Sequence, residues 1–180
     1  MSVAPRVIFD TNSLWNFAVV ERLDVVEQRY GQRCGWTETV QDEADFAERY
    51  EPKLAMLKHC PWLGAPIQLK GTGCLAAVST IQRILASPGD PPTRHLGEAE
   101  SIHIIEHELD GLGIFVSDDN GAIDLASRRG IRVMRTHDVL AECYAMGELV
   151  CPEPFDLLTQ MADADRAGVR VPDSHQSICP

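Results

Sequence analysis

Short all-apolar runs alternate along the chain with stretches whose apolar residues recur every three or four positions, and the junctions between them are polar. Val7-Ile8-Phe9 is such a run. It stops at Asp10, and after Thr11-Asn12-Ser13 a helical pattern resumes at Leu14 and Phe17, which predicts strand, polar turn, helix. One or two helices follow to about Val26, a short strand over Arg33 to Trp36, and a helix from Thr37 or Thr39 to about Tyr50, ended by Pro52. A second helical piece runs to about Cys60 before the Pro61 to Pro66 connector. Ile67 to Leu69 reads as a short strand, Gly71-Thr72-Gly73 as a turn, and Leu75 to Ala86 as a helix with Leu75, Val78, Ile81, Ile84 and Leu85 on its apolar face.

From Gly97 the pattern is strand and helix in alternation. A helix opens at Gly97 and stops before Gly111 and Gly113; Ile114 to Val116 is a buried strand closed by Ser117-Asp118-Asp119-Asn120-Gly121. Ala122 to Arg129 is a helix, Ile131 to Met134 a strand, and Asp138 to Met146 a helix stopped by Gly147. That order predicts an α/β fold with parallel βαβ units. The tail from Pro172 is polar and reads as loose.

Acids fall at the ends of these elements: Asp10 after the first strand, Glu43 at the edge of a helix's apolar face, Glu98 and Glu100 at a helix start, and Asp118 and Asp119 after a later strand. Strand C-termini are where a parallel α/β sheet places its ligand crevice. Each acid also has a bland explanation, since Asp10 or Asn12 would cap a helix and acids in a first turn complement the helix dipole. Clustered together, carboxylates repel unless a hard cation neutralises them. Oxygen-only ligation suits Mg²⁺ or Mn²⁺, and such a site implies metal-assisted phosphodiester hydrolysis.

The composition constrains this reading. With 16 Lys and Arg against 27 Asp and Glu, the net charge of −11 disfavours a broad electrostatic surface for nucleic acid, so any basic contacts must be local. Arg94, His95 and Arg135 are the phosphate-contact candidates, whereas Arg128 and Arg129 fit a dipole-complementing role at a helix C-terminus. No apolar run approaches the roughly 20 residues of a membrane span, and Met1 to Phe9 lacks a signal-peptide core. A cytoplasmic protein with no membrane role is expected. The six cysteines show no CxxC pairing and read as reduced, structural thiols.

The pieces Val7-Ile8-Phe9-Asp10-Thr11-Asn12, Val40-Gln41-Asp42-Glu43, Leu96-Gly97-Glu98-Ala99-Glu100-Ser101-Ile102 and Phe115-Val116-Ser117-Asp118-Asp119 resemble, in order, the motifs of PIN-domain nucleases, most closely the toxin ribonucleases of bacterial toxin–antitoxin pairs. The resemblance covers residues 6 to 150 and extends to the stretch from Arg135 to Leu140. It implies a three-layer α/β/α fold with a parallel sheet of about five strands and Mg²⁺- or Mn²⁺-dependent endoribonuclease activity. It also implies an antitoxin partner and a homodimer. Asp10, Glu43, Glu98 and Asp119 would be the acidic quartet, with Asp10, Glu98 and Asp119 on the metal. Asn12 and Ser117 would hold the acids by hydrogen bonds, and Glu100 and Asp118 are the alternative or supporting positions. Two departures stand out: residues 48 to 95 form a longer helical region than in compact members, and Arg135 occupies a position where glycine is frequent. Residues 151 to 180 would then be a partly loose extension.

Two rivals carry different chemistry. His103-Ile104-Ile105-Glu106-His107 matches the HxxEH pattern of a zinc protease, and a non-catalytic binding module of the same fold would keep the acids without the activity.

Overall fold

The computed structural model describes residues 6–166 and 168–180. The chain runs β1 (Val7–Phe9), α1 (Thr11–Val19), α2 (Leu23–Tyr30), β2 (Cys34–Gly35), α3 (Glu38–Ala47), α4 (Thr72–Leu85), α5 (Leu96–His107), β3 (Ile114–Val116), α6 (Asn120–Arg128), β4 (Arg132–Met134), α7 (Thr136–Ala145) and α8 (Glu153–Asp163). Every strand pair is parallel, and the sheet order is β2-β1-β3-β4. Val7, Ile8 and Phe9 register with Ile114, Phe115 and Val116.

Because successive side chains leave opposite faces of a strand, each three-residue run feeds two cores. Val7, Phe9, Ile114 and Val116 face Leu14 and Phe17 of α1, Val26 of α2, Val40 of α3, Leu140 of α7 and Leu158 of α8. Ile8 and Phe115 face Val78 and Ile81 of α4, Ile102 and Ile105 of α5, and Ala122 and Ala126 of α6. Helices therefore cover both faces. Burial of each large apolar side chain contributes about 1.5–3 kcal/mol, so strands this short are held by their helices more than by their ladders.

Four expectations change. The sheet has four strands among the described residues rather than about five. Ile67, expected to begin a strand, makes one parallel bridge to Thr37, donating to the Trp36 carbonyl at 2.8 Å and accepting from Glu38 N–H at 3.1 Å. Pro66 before it has no N–H to donate, so the ladder cannot lengthen in that direction. The turn at Gly71-Thr72-Gly73 is instead the start of α4: Gly71 caps it at φ +99°, and Leu75 and Ile84 of the expected apolar face are exposed. The tail from Pro172, expected to be loose, ends with Ile178 and Cys179 in the core, beside α8, whose Pro154, Leu157, Leu158 and Met161 are buried. Their helical spacing carries enough apolar surface to dock, despite the polar residues around them.

All six cysteines are free. Burial pushes the thiols of Cys34 and Cys143 up to about 12, which keeps them inert. No helix among the described residues is long and apolar enough to cross a membrane.

Candidate active site

The chain leaves β1 toward β2 on one side and returns to β3 on the other, so strand order reverses between the carboxyl ends of β1 and β3. That is where an open parallel sheet forms its crevice. Asp10 follows β1, Ser117-Asp118-Asp119 follow β3, and α1 and α6 leave toward opposite faces.

Asp10 both caps α1 and lines the crevice. Its Oδ1 accepts from the Ser13 N–H at 2.7 Å and its Oδ2 from the Ser117 hydroxyl at 2.6 Å, with only 2% of the residue exposed. Burial pushes its carboxyl up to about 6; the bonds from Ser117 and Ser13 oppose this, and the charge on Asp118 adds to it. Ser117 works in two directions, since its Oγ also accepts from the Asp119 N–H at 3.1 Å.

The neighbouring acids differ. Asp118 is buried and fully engaged: it accepts from Asn16 Nδ2 at 2.8 Å, from Thr136 N–H at 3.1 Å and from the Thr136 hydroxyl. Asp119 is part-exposed and caps α6, accepting from Ala122 N–H at 2.8 Å. Asp118 thus ties β3 to α1 and α7, and Asp119 stands at the crevice.

α3 and α5 bring the remaining acids. Gly97 lets the two helices close: a Cβ there would come within 3.0 Å of Val40 Cγ2 and 3.5 Å of Glu43 Oε2. Thr11 donates its hydroxyl to Glu43 Oε2. Burial raises the Glu43 carboxyl, Thr11 opposes that, and Glu100 adds to it. Glu98 receives no hydrogen bond from another described residue. Burial, reinforced by the charges of Asp10, Glu43 and Asp119, pushes it up to about 8. Glu100 instead turns to α3, where Thr39 donates to Oε1 at 2.8 Å and Oε2 is buried without a partner.

Asp10, Glu43 and Glu98 line one small pocket of about 10 Å³, the space of a single water or ion. Among the described residues no three His, Cys, Asp or Glu side chains close on a common point, so the expected set of Asp10, Glu98 and Asp119 does not form a protein-only cage.

The other predicted residues fall as follows. Asn12 is exposed at the rim of the pocket that Asp10, Glu43 and Glu98 line; its Oδ1 accepts from Arg166 at 3.1 Å rather than holding an acid. Arg135 donates to the Asp118 carbonyl at 3.1 Å and to Asn120 Oδ1 at 2.8 Å, strapping the turn after β3. His95 lies beside Glu98, Nδ1 to Oε1 3.7 Å, while Arg94 reaches toward Asp90. Arg128 is exposed near Asp124, and Arg129 donates to Glu106 Oε2 at 2.8 Å. That bond occupies the carboxylate the HxxEH reading needs, and among the described residues His103 and His107 gain no third ligand.

Four residues near the acids were not anticipated. Thr11 and Thr136 hold Glu43 and Asp118. Asn16 donates to Asp118, and its Oδ1 accepts from Arg166 Nε at 3.1 Å. An amide inside the apolar run of α1 was a visible signal, because a buried amide must find partners. Arg166 follows α8, stacks 4.0 Å over Trp15 and makes no ion pair among the described residues. Burial lowers its affinity for its proton, opposed by the charges of Asp10 and Asp118. Gly168 beyond it lies against Asp118 at φ +84°, where a Cβ would meet the Asp118 carbonyl oxygen at 3.0 Å. No local pattern foretells this return.

Comparison of the chain with protein-family models, with curated proteins and with solved structures gave no match.

Proposed function

We propose that the protein is a Mg²⁺- or Mn²⁺-dependent endoribonuclease of PIN-like fold, hydrolysing phosphodiester bonds at the crevice between β1 and β3. One observation carries the reading: carboxylates from β1, α3 and α5 share a single-ion pocket at the sheet's switch point, and the least hydrogen-bonded of them, Glu98, is raised to about 8 by burial and its acidic neighbours.

In this reading Asp10 and Glu98 hold the ion, Asp10 in an orientation fixed by Ser13 and Ser117. When bound, the ion supplies a water of lowered pKa and neutralises charge developing on the phosphate. Glu43, one oxygen fixed by Thr11, orients the attacking water with the other. Asp119, at the end of β3 and close enough for its charge to act on Glu98, would add negative charge to the ion's surroundings. Arg166 provides positive charge beside the acids and, with His95 as a neighbouring polar group, receives the scissile phosphate. The toxin role follows from the same site: an antitoxin would present a basic segment to it, and −11 of net charge favours that encounter. A homodimer and a cytoplasmic setting belong to this proposal as well.

The test is cleavage of single-stranded RNA by purified protein in Mn²⁺, with and without EDTA. Asp10→Asn preserves size and the α1 cap while removing a charge. Cleavage that stops in EDTA and falls at least about a hundredfold in this variant supports the reading; wild-type cleavage by Asp10→Asn removes it.

A further inference from the structure

Beside the single-ion pocket lies a larger groove of about 570 Å³ that shares Thr11, Asn12 and Glu43 with it. Its walls are of another kind. Trp15 of α1 and Phe46 of α3 form two aromatic sides, and Leu96 at the start of α5 forms a third apolar surface. Phe46 is 56% exposed although it sits one helical turn from Glu43. Both aromatics carry a guanidinium on one face, Arg166 at 4.0 Å from the Trp15 ring centre and Arg49 at 5.0 Å from that of Phe46.

Resting on the nuclease reading, we infer that this groove is a nucleobase subsite: one unpaired base of a single-stranded RNA lies between Trp15 and Phe46 while its phosphate reaches the acids. Continuity fixes the occupant's chemistry, because whatever fills the groove must touch a group bound at Glu43. Size agrees, since 570 Å³ falls within the range of small-ligand clefts. Charge agrees as well. At −11 the protein lacks the broad positive field that ordinarily supplies nucleic-acid affinity, so binding must draw on stacking, which tolerates an acidic surface. A paired base could not enter, because its stacking faces and Watson–Crick edge are already taken. The substrate class is therefore unpaired RNA, with one base splayed out next to the cleaved bond.

The experiment measures anisotropy of a labelled single-stranded decaribonucleotide with full-length protein in EDTA, and steady-state cleavage of the same RNA in Mn²⁺. Phe46→Ser alters an exposed side chain, so the fold persists; it should weaken binding and raise KM about tenfold with kcat little changed, and Phe46→Trp should restore both. Removing one base at a time from the RNA should reproduce that loss at a single position for the wild type and at no position for Phe46→Ser. The salt dependence should be shallow, a log–log slope of about −1 for one or two phosphate contacts. Equal binding and KM for wild type and Phe46→Ser, or tight binding of a fully paired duplex, would overturn the subsite while leaving Mn²⁺-dependent cleavage intact. Base-dependent binding without any cleavage would overturn the nuclease reading and keep the subsite.

Discussion

The acids carried by strand ends and those carried by helices have different lives in this fold. Asp10, Asp118 and Asp119 sit where the chain turns from strand into helix, and each accepts hydrogen bonds from a backbone N–H: Ser13, Thr136 and Ala122 respectively. Folding itself supplies their donors. Glu43, Glu98 and Glu100 are brought in by helix packing and meet few donors, a threonine hydroxyl for Glu43 and Glu100 and none from another described residue for Glu98. Without such donors, Glu98 keeps a proton up to about pH 8 in the metal-free fold. A strand-end acid is consistent with pure architecture, whereas a buried helix acid without donors is neutralised by a proton or, in the proposed reading, by a cation that displaces it.

The sharpest break of this contrast is a pair of substitutions. Asp118→Ala leaves both Thr136 donors buried without an acceptor and takes from the Asn16 amide one of its two acceptors, the other being the Thr136 hydroxyl; it should cost about 3 kcal/mol or more, seen as a fall of about 10 °C in thermal midpoint. Glu98→Gln removes a repelled charge, and should raise the midpoint of the metal-free protein at pH 9 while abolishing cleavage. A loss of stability in Glu98→Gln would erase the distinction.

The pH dependence comes next. Asp10 and Glu98 are raised in the folded state, to about 6 and about 8 from ordinary values of 3.8 and 4.5. Both therefore bind protons more tightly when folded. Their contribution is full below pH 4 and is lost as pH rises through 6 for Asp10 and 8 for Glu98. Metal-free protein should lose stability across that window in urea melts, and saturating Mn²⁺ should flatten or reverse the slope. A metal-free stability that climbs from pH 5 to 8 would contradict the assignment of these two groups.

Smaller effects sharpen the picture. Asp119→Ala loses a cap and should cost about 1 kcal/mol by urea unfolding, with Asp119→Asn near neutral for stability but weaker in cleavage. Arg166→Met removes the guanidinium beside Asp10 and Asp118, so Mn²⁺ should bind about fivefold more tightly, equivalent to about 1 kcal/mol, while RNA binds more weakly. Parallel weakening of both ligands would mean that Arg166 serves only to hold α1 in place.

What was legible in the sequence follows the same division. The runs Val7 to Phe9 and Ile114 to Val116 announced parallel strands, and the acids after them were placed because a strand that stops at Asp is a local pattern. Glu43 was legible from its spacing against Val40, Ala44, Phe46 and Ala47, although Phe46 of that face is exposed, and Glu98 from its place in the first turn of a helix. The roles of Asn12 and Asn16 were not separable, because which of two asparagines on one helix meets Asp118 depends on how α1 rolls against β3. Ile67 and the α4 start depended on a ladder cut short by Pro66 and on Gly71 at positive φ. Arg166 was invisible because its partners, Trp15, Asn12 and Asn16, lie some 150 residues away in the chain.

The central claim is that the donor-poor helix acids are kept for a hard cation. Calorimetric titration of the metal-free protein with Mn²⁺ at pH 7, in buffers of different ionisation enthalpy, measures this directly. With Glu98 raised to about 8, binding at one site should release about one proton, and Glu98→Gln should bind more weakly and release almost none. Binding without proton release, or unchanged binding in Glu98→Gln, would contradict it.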